Sequence, residues 1–339
     1  MKMLITGGAG FIGSNTANFY LEKGNEVIIF DNLSRKGTEK NLQWLLKKYE
    51  NLKFIKGSIV NYEELREICA NNKFDACFHF AAQVAVTTSV TDPRPDFMVN
   101  ALGSFNILEA LRETGQDCPI IYTSTNKVYG EMTDIKVRDT GKRYEYEDYD
   151  KGIPENYPLD FHSPYGCSKG SGDQYFIDYA RIYGLKTVIF RQSCIYGQRQ
   201  FGNEDQGWVA HFIISAIKDK PLTIYGNGKQ IRDILHIDDL INLYDLWIKN
   251  IEKVSGQAFN IGGGSNNTIS LLELISILET QLNKKIKYNF ADWRPGDQKV
   301  YVSNIARIGD VLNWKPEINI KNGIEKLINW IQDNPTLFE

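Results

Sequence analysis

Short apolar runs rich in β-branched residues alternate with longer amphipathic segments through the first third of the chain. The runs predict strands at 2–6, 26–30, 53–56, 75–80 and 119–123. Between them, 12–23, 38–49, 61–71 and 95–114 space apolar residues three and four apart, as helices covering a sheet must. Strand, crossover helix, strand is the order of a parallel sheet, so the expected fold is α/β, a Rossmann-type doubly wound sheet. The pattern breaks at 131–162, rich in Tyr, Asp, Glu, Lys and Pro without a sustained period. A stretch of that length is expected to be a functional loop or to hide short elements. Ser163-Pro164 then reads as a cap and first-turn proline opening a helix over 165–183. A strand at 186–191 follows. Beyond it come helices near 207–217, 238–250, 270–282 and 320–333, with strands near 222–225, 257–261 and 286–290. Residues 1–190 are expected to form the sheet domain, and 191–339 mainly a smaller α/β lobe across a cleft, with some segments returning to the first domain.

Composition narrows the partners. At 339 residues and 42% apolar, the chain buries a full core. Its net charge of −3 comes from interspersed acids and bases, with no basic footprint for nucleic acid and no polybasic membrane anchor. The glycines begin at Gly7, too early for a signal-peptide apolar region, and no later run has the length of a membrane span. The five cysteines are odd in number and lack metal spacing, so reduced thiols in a cytoplasm are expected. The four histidines are scattered, and no metal is expected.

The first strand runs into Gly7-Gly8-Ala9-Gly10-Phe11-Ile12-Gly13. There Gly7 allows a tight turn, Gly10 lets backbone approach a pyrophosphate at a helix N-terminus, and Gly13 lets helix and strand sit close. Asp31, ending the second strand, would accept from an adenosine ribose and repel a 2′-phosphate, which favours NAD over NADP. Arg35 is a counter-signal, since an arginine can accommodate that phosphate.

Tyr165-Gly166-Cys167-Ser168-Lys169 sets a phenol and an ammonium one helical turn apart. A cation beside the phenol is expected to lower its value from about 10 and make it a base for a hydroxyl. Thr123-Ser124-Thr125-Asn126-Lys127-Val128-Tyr129-Gly130 adds hydroxyls at the carboxyl edge of the sheet, where ligands bind in such folds.

With these strings, and Phe80-Ala81-Ala82, Asn100, Arg191, Arg232-Asp233 and Arg294, the chain resembles the extended short-chain dehydrogenase/reductases that act on nucleotide sugars. The resemblance covers essentially all 339 residues. It implies that Thr125 takes the family's hydroxyl role, Tyr165 acts as base, and Lys169 binds the nicotinamide ribose and keeps Tyr165 anionic. Asn32, Ser34, Arg35, Ser58 and Ile59 would line the adenosine site, with Gly7, Gly10, Phe11, Ile12, Gly13, Phe80, Ala81, Ala82 and Asn100 along the rest of the cofactor.

Dehydratases of this family carry an Asp-Glu pair after the catalytic Thr; here Asn126-Lys127 stand there. Elimination of water then lacks its acid and base, and epimerisation is the expected reaction. Cys194 stands where the 4-epimerases have an asparagine. Leu159 to Lys169, Asp31 to Gly37, Arg199-Gln200-Phe201 and Asp205 to Trp208 resemble members that invert C2 of a CDP-hexose, either paratose or glucose. The implied course is removal of the C2 hydroxyl proton by Tyr165, hydride transfer to NAD, a transient 2-keto sugar, and hydride return from bound NADH to its other face.

Arg199, Arg232 and Arg294 are the expected pyrophosphate ligands, because a guanidinium offers paired donors to phosphate. Gln83, Thr88, Ser89, Asn126 and Ser193 are expected near the sugar, with helix capping or loop bonding the alternative for Gln83, Thr88 and Ser89. Two rival readings stand: a UDP- or dTDP-sugar 4-epimerase on the same scaffold, and a non-catalytic NAD-binding regulator. The resemblance further implies a homodimer on helices 95–114 and 165–183, or a homotetramer, and a place in surface-polysaccharide (lipopolysaccharide) precursor synthesis.

Overall fold

The computed structural model describes residues 1–294 and 296–339. The strands in chain order are β1 (Lys2–Thr6), β2 (Glu26–Asp31), β3 (Lys53–Lys56), β4 (Ala76–His79), β5 (Ile120–Thr125), β6 (Val137–Asp139), β7 (Tyr144–Tyr146) and β8 (Thr187–Gln192). They continue with β9 (Cys194–Tyr196), β10 (Leu222–Tyr225), β11 (Ile231–His236), β12 (Gln257–Ile261), β13 (Thr268–Ser270), β14 (Tyr288–Ala291) and β15 (Val300–Tyr301). The helices are α1 (Phe11–Glu22), α2 (Thr38–Lys48), α3 (Tyr62–Ala70), α4 (Val86–Thr91), α5 (Pro93–Phe97), α6 (Gly103–Glu113) and α7 (Ser163–Tyr183). After them come α8 (Trp208–Ile217), α9 (Ile237–Lys249), α10 (Ile251–Val254), α11 (Leu271–Leu282), α12 (Ala306–Leu312) and α13 (Ile320–Asp333).

The chain forms two compact units. One comprises Met1–Val128, Ser163–Arg191 and Ile241–Phe259, the other Tyr129–His162, Gln192–Leu240 and Asn260–Glu339. The expected boundary near residue 190 placed 129–162 with the sheet domain; it packs instead in the second unit, while 241–259 lies in the first.

The first unit is built on a seven-stranded sheet ordered β12-β8-β5-β4-β1-β2-β3. Strand order runs outward both ways from β1 and β4, which makes their carboxyl ends the switch point where such sheets open to ligands. Register is set by alternation. Leu4 pairs with Ile28 and Cys77 and faces a core of Ile107, Leu111 and Phe176. The next residue faces the other way, as period two requires. On that opposite face Phe78 lies 5.5 Å from both Tyr20 and Trp247, with Tyr244 beside them.

One reading of the pattern is corrected in this unit. The helix expected over 95–114 is three pieces: α5, a π-helical turn at Met98–Leu102, and α6. The wide turn has a local cause. Asn100 Nδ2 donates to the Gln83 carbonyl at 2.9 Å and to Asp96 Oδ1 at 3.0 Å, while its Oδ1 accepts Gln83 N–H at 2.9 Å. Such turns are frequent at functional sites. The short α4, inside 81–92, has too few residues for a helical period to show.

In the second unit β11 is flanked by β13 and by β15 and β9, and β10 pairs parallel with β14. Phe212, Ile213, Leu274, Leu278, Ile324 and Leu327 form its core. Helix α11 opens with a capping box, Ser270 Oγ accepting Glu273 N–H at 3.1 Å and Glu273 Oε2 accepting Ser270 N–H at 2.8 Å. The 131–162 stretch contains the hairpin β6–β7, three residues a side, too short to show alternation. Strand β11 escapes a periodicity search because Asp233, fully buried, interrupts its apolar run.

Trp247 is fully buried, so truncation leaves a cavity as well as losing transfer energy. Trp247→Ala should cost about 3–5 kcal/mol in reversible denaturant unfolding. A loss under about 1 kcal/mol would mean that the ring is not part of this core.

Candidate active site

Gly7, Asp31, Phe80 and Thr125 stand at or just beyond strand ends, while Tyr165 and Lys169 are on α7. Gly7, after β1, has φ +69°, and a Cβ there would lie 2.5 Å from Ala81 N. This is how the Gly7–Gly13 turn and the Phe80-Ala81-Ala82 run come together. At Gly13 a Cβ would stand 2.3 Å from the Gly7 carbonyl oxygen, so α1 can only approach the turn this closely with glycine. Asp31 is buried, its Oδ2 accepting Ala9 N–H at 3.0 Å and its Oδ1 accepting Leu33 N–H at 2.8 Å. Burial raises its pKa, and those two N–H groups work against the rise.

Around it, Asn32 accepts Ser34 N–H at 3.0 Å, and both residues are exposed. Ser58 N–H donates to Glu64 at 3.2 Å. Ile59 packs into the core, where a Cβ on Gly103 would meet it at 2.5 Å, and its carbonyl accepts the Asn106 amide at 3.0 Å. Phe80 stacks on Tyr244 at 5.4 Å, so its ring serves the core.

Helix α7 supplies the phenol. Ser163, at φ +66°, accepts Gly166 N–H on Oγ at 3.2 Å, and the buried Ser89 hydroxyl accepts Tyr165 N–H at 3.1 Å. Ser89 Oγ also donates to Val86 O at 2.7 Å, and its side chain is fully enclosed. It therefore bonds the start of α7, with both its donor and an acceptor site taken by backbone. Gln83 is likewise engaged within its own loop, bonding Ala85 N–H at 2.6 Å and Ala85 O at 2.8 Å. Thr88 is exposed on α4.

Tyr165 and Thr125 share a hydrogen bond, and Thr125 Oγ1 accepts Lys127 N–H at 3.2 Å. Asn126 Oδ1 accepts from Thr125 at 3.3 Å. Burial pushes the Tyr165 phenol up to about 12, eased by Thr125, raised further by Asp96 and eased by Arg35. The Lys169 ammonium lies over the Tyr122 ring, 4.2 Å from its centroid. Burial brings Lys169 down to about 7, against the pull of Asp173 and Asp96.

Two acids missed in the sequence organise this site. Asp173 accepts Arg191 Nε and Nη2 at 2.9 Å each and Ser124 Oγ at 2.8 Å. Asp96 accepts from Ser168 Oγ and from Asn100. Both were detectable by spacing, Asp173 four residues after Lys169 and Asp96 four before Asn100, each pair on one helical face.

The second unit holds the expected phosphate ligands and Ser193. Ser193 Oγ donates to Asp233 Oδ1 at 2.6 Å. Arg232 Nη1 donates to the carbonyls of Ile231 and Gln298 at 2.8 Å. Arg294 lies over Tyr225 at 3.7 Å and near Asp205 at 3.8 Å. Arg199 adopts φ +67°, an uncommon conformation for a side-chain-bearing residue, and burial lowers its pKa to about 10. No group of three or more His, Cys, Asp or Glu among the described residues is placed to hold a metal ion.

A doubly wound parallel sheet with a glycine turn after its first strand, and a buried Thr-Tyr-Lys set at its carboxyl edge, defines a short-chain dehydrogenase/reductase scaffold. A family model described as GDP-mannose 4,6 dehydratase matches residues 4–327, and the chain belongs to this family of NAD-dependent epimerase/dehydratase enzymes. A CDP-paratose 2-epimerase of Salmonella typhi is 48% identical over 335 residues, covering 97% of this chain and 99% of that one. A putative UDP-glucose 4-epimerase of Methanocaldococcus jannaschii is 32% identical, covering 98% and 99%. Among solved structures, UDP-glucose 4-epimerase of Thermotoga maritima with UDP-glucose superposes with TM-score 0.86 at 29% identity, covering 99% and 100%. The Thermus thermophilus UDP-glucose 4-epimerase in complex with NAD gives 0.84 at 28%, covering 98% and 100%.

In protein stripped of bound nucleotide, the Tyr165 phenol should ionise at about 12, above the ordinary tyrosine range. Ultraviolet difference titration against Tyr165→Phe reads that ionisation directly; a value below about 10 would contradict the burial described.

Proposed function

We propose that this chain is an isomerase that inverts C2 of a CDP-hexose, converting CDP-paratose to CDP-tyvelose, with CDP-glucose to CDP-mannose a further reaction of the same site. The observation that carries this reading is the 48% identity to a CDP-paratose 2-epimerase across nearly the whole of both chains. Asn126-Lys127 after Thr125 support it, since neither can act as the carboxylic acid a dehydration needs.

We take NAD as the cofactor. The residues fit it: the turn is closed to any Cβ at Gly7 and Gly13, and Asp31 presents a buried carboxylate at the end of β2. Gly10, Phe11 and Ile12 at the start of α1, Asn32, Ser34, Arg35 and Ser58 beside Asp31, and Ala81, Ala82 and Asn100 beyond β4 would hold it with them, and Lys169 would take its nicotinamide ribose. When bound, NAD accepts a hydride from the sugar carbon and gives it back. The proton falls to this chain. As phenolate, Tyr165 takes the C2 hydroxyl proton while the C2 hydrogen leaves as hydride, and a 2-keto sugar results. The reverse step on the other face returns hydride to C2 and the proton from Tyr165 to oxygen. Thr125 donates to that oxygen as its charge changes. Arg199, Arg232 and Arg294 would take the pyrophosphate, with Ser193 and Asn126 near the sugar.

The second reading is a UDP- or dTDP-sugar 4-epimerase, favoured by the similarity to 4-epimerases just described. A role as regulator without catalysis fits poorly with an intact Thr125–Tyr165 bond. A soluble nucleotide sugar suits a cytoplasmic enzyme in surface-polysaccharide precursor synthesis. No helix among the described residues is long and apolar enough to cross a membrane. Exposed Tyr175, Ile182 and Tyr183 on α7 support a homodimer formed there, or a tetramer of such pairs.

Proton NMR of the purified protein with CDP-paratose or CDP-glucose in deuterated water, without added cofactor, tests the reading. Inversion at C2 with no deuterium in the ring is expected; inversion at C4 moves the assignment to the 4-epimerases, and ring deuterium points to proton abstraction from carbon. Tyr165→Phe should lower kcat by about 10²–10⁴-fold, the range for loss of a general base, and unchanged turnover would remove Tyr165 from this role.

A further inference from the structure

Lys169 is nearly fully enclosed, and its neighbours come from four elements. Tyr122 on β5 lies beneath its ammonium, and Asp173 stands one turn on along α7. His79 on β4 is held neutral, burial first and Lys169 second bringing its imidazole down to about 3. Asp96 on α5 is the fourth, acting on Lys169 through its charge, after Asp173. The two acids differ in their bonding. The charge of Asp173 is matched by Arg191 on β8, through two bonds of 2.9 Å. Asp96, only 1% exposed, has no ion pair among the described residues; its partners are the uncharged Ser168 and Asn100. Tyr165 is influenced by Asp96 as well, and by Arg35.

We propose that Asp96 is a positioning residue for the Tyr165–Lys169 pair. Its carboxylate is the uncompensated counter-charge of the buried Lys169 ammonium, and its bonds to Ser168 and Asn100 tie α7 to the π-helical turn. Ser168 is next to Lys169 in sequence, and its one hydroxyl hydrogen is shared between Asp96 and Pro164 O, the latter at 2.7 Å, so Asp96 grips α7 within the turn that carries Tyr165 and Lys169. The bond to Asn100 fixes the other end, where Asn100 is in turn bonded to Gln83. The proposal rests on Tyr165 acting as base and Lys169 as the cation beside it, but not on which sugar is turned over.

Removing the negative charge destabilises the ammonium and relieves the phenolate, so both groups lose their protons at lower pH. Because turnover needs Tyr165 without its proton and Lys169 with its own, the two limbs of the kcat profile should therefore move together, whichever group sets each. In Asp96→Asn, both limbs of the holoenzyme should shift to lower pH by about one unit. Phenolate difference titration against Tyr165→Phe should show the same displacement without any substrate. Asp96→Glu, which retains the charge, should leave both limbs in place even where kcat falls. Limbs unmoved in Asp96→Asn, or moved equally in Asp96→Glu, would overturn the proposal. If Asp96→Asn does not fold, Asp96→Ser, which leaves a hydroxyl for Ser168 and Asn100, takes the same measurements. Failure to turn over any CDP-hexose would count against the substrate reading alone, since the titration is independent of it.

Discussion

The bond between Asp173 and Arg191 ties α7, which carries Tyr165 and Lys169, to β8, and through Ser124 to β5, which ends in Thr125. Both side chains are out of water, at 0% and 4% exposure, so neither charge can be screened by solvent. A buried pair of this kind adds little net stability over an apolar replacement, but removing one partner costs roughly 3–5 kcal/mol because the other is left uncompensated. That asymmetry makes the pair a device for position. Asp173 belongs to α7, Arg191 to β8, and Ser124, which donates to the same carboxylate, to β5. Ser124 immediately precedes Thr125, and Asp173 lies two turns beyond Tyr165. The Thr125–Tyr165 hydrogen bond is thus set by a charge pair that does not itself touch the reacting groups.

The same exclusion of water sets a problem that the neighbouring charges address. Desolvation penalises the charged form of every group, so it moves the base and its accompanying cation in opposite directions, Tyr165 up and Lys169 down. Proton abstraction needs the reverse, a phenolate beside an ammonium. The Thr125 hydroxyl and Arg35 favour the phenolate, while Asp173 and Asp96 favour the ammonium. Asp96 opposes the phenolate as it supports the ammonium, so the two demands are in tension at a single carboxylate. A compromise of this sort is tolerable only where geometry is held rigidly, and the buried Ser89 cap and the Asp173 anchor both act on the helix that carries the pair.

Much of the fold was legible because its regular elements are long enough to display a period. The strands of the large sheet and the helices α1, α2, α3, α7, α9, α11 and α13 fall where apolar spacing places them. What escaped depends on partners distant in sequence. Asn100 widens a helical turn because Gln83, seventeen residues earlier, bonds both ends of its amide. Strand β11 carries a buried aspartate that partners far along the chain, Ser193 and Gly264 among them, make tolerable. In the site, the Tyr-x-x-x-Lys spacing does not by itself say where the ammonium lies. One helical turn puts the two side chains on one face, but Tyr122 under the ammonium, not the spacing, decides where Lys169 points. Ser89 shows the converse, a polar residue in the right region whose hydroxyl is consumed by the backbone.

The chemistry is limited in the end by how many protons the site can handle. Elimination of water from a sugar requires one group to protonate the leaving hydroxyl and another to take a proton from carbon, besides the base at the oxidised hydroxyl. Next to Thr125 this chain offers an amide and an ammonium: Asn126 spends its carbonyl on the Thr125 hydroxyl, and Lys127 uses its backbone N–H on the same oxygen. Neither is a carboxyl group. Tyr165 is then left as the group at Thr125 that can both accept and return a proton, which suffices for oxidation and reduction at one carbon. On the reading proposed above, such a site changes the configuration of a carbon without expelling its hydroxyl, and inversion follows once the keto sugar presents its second face.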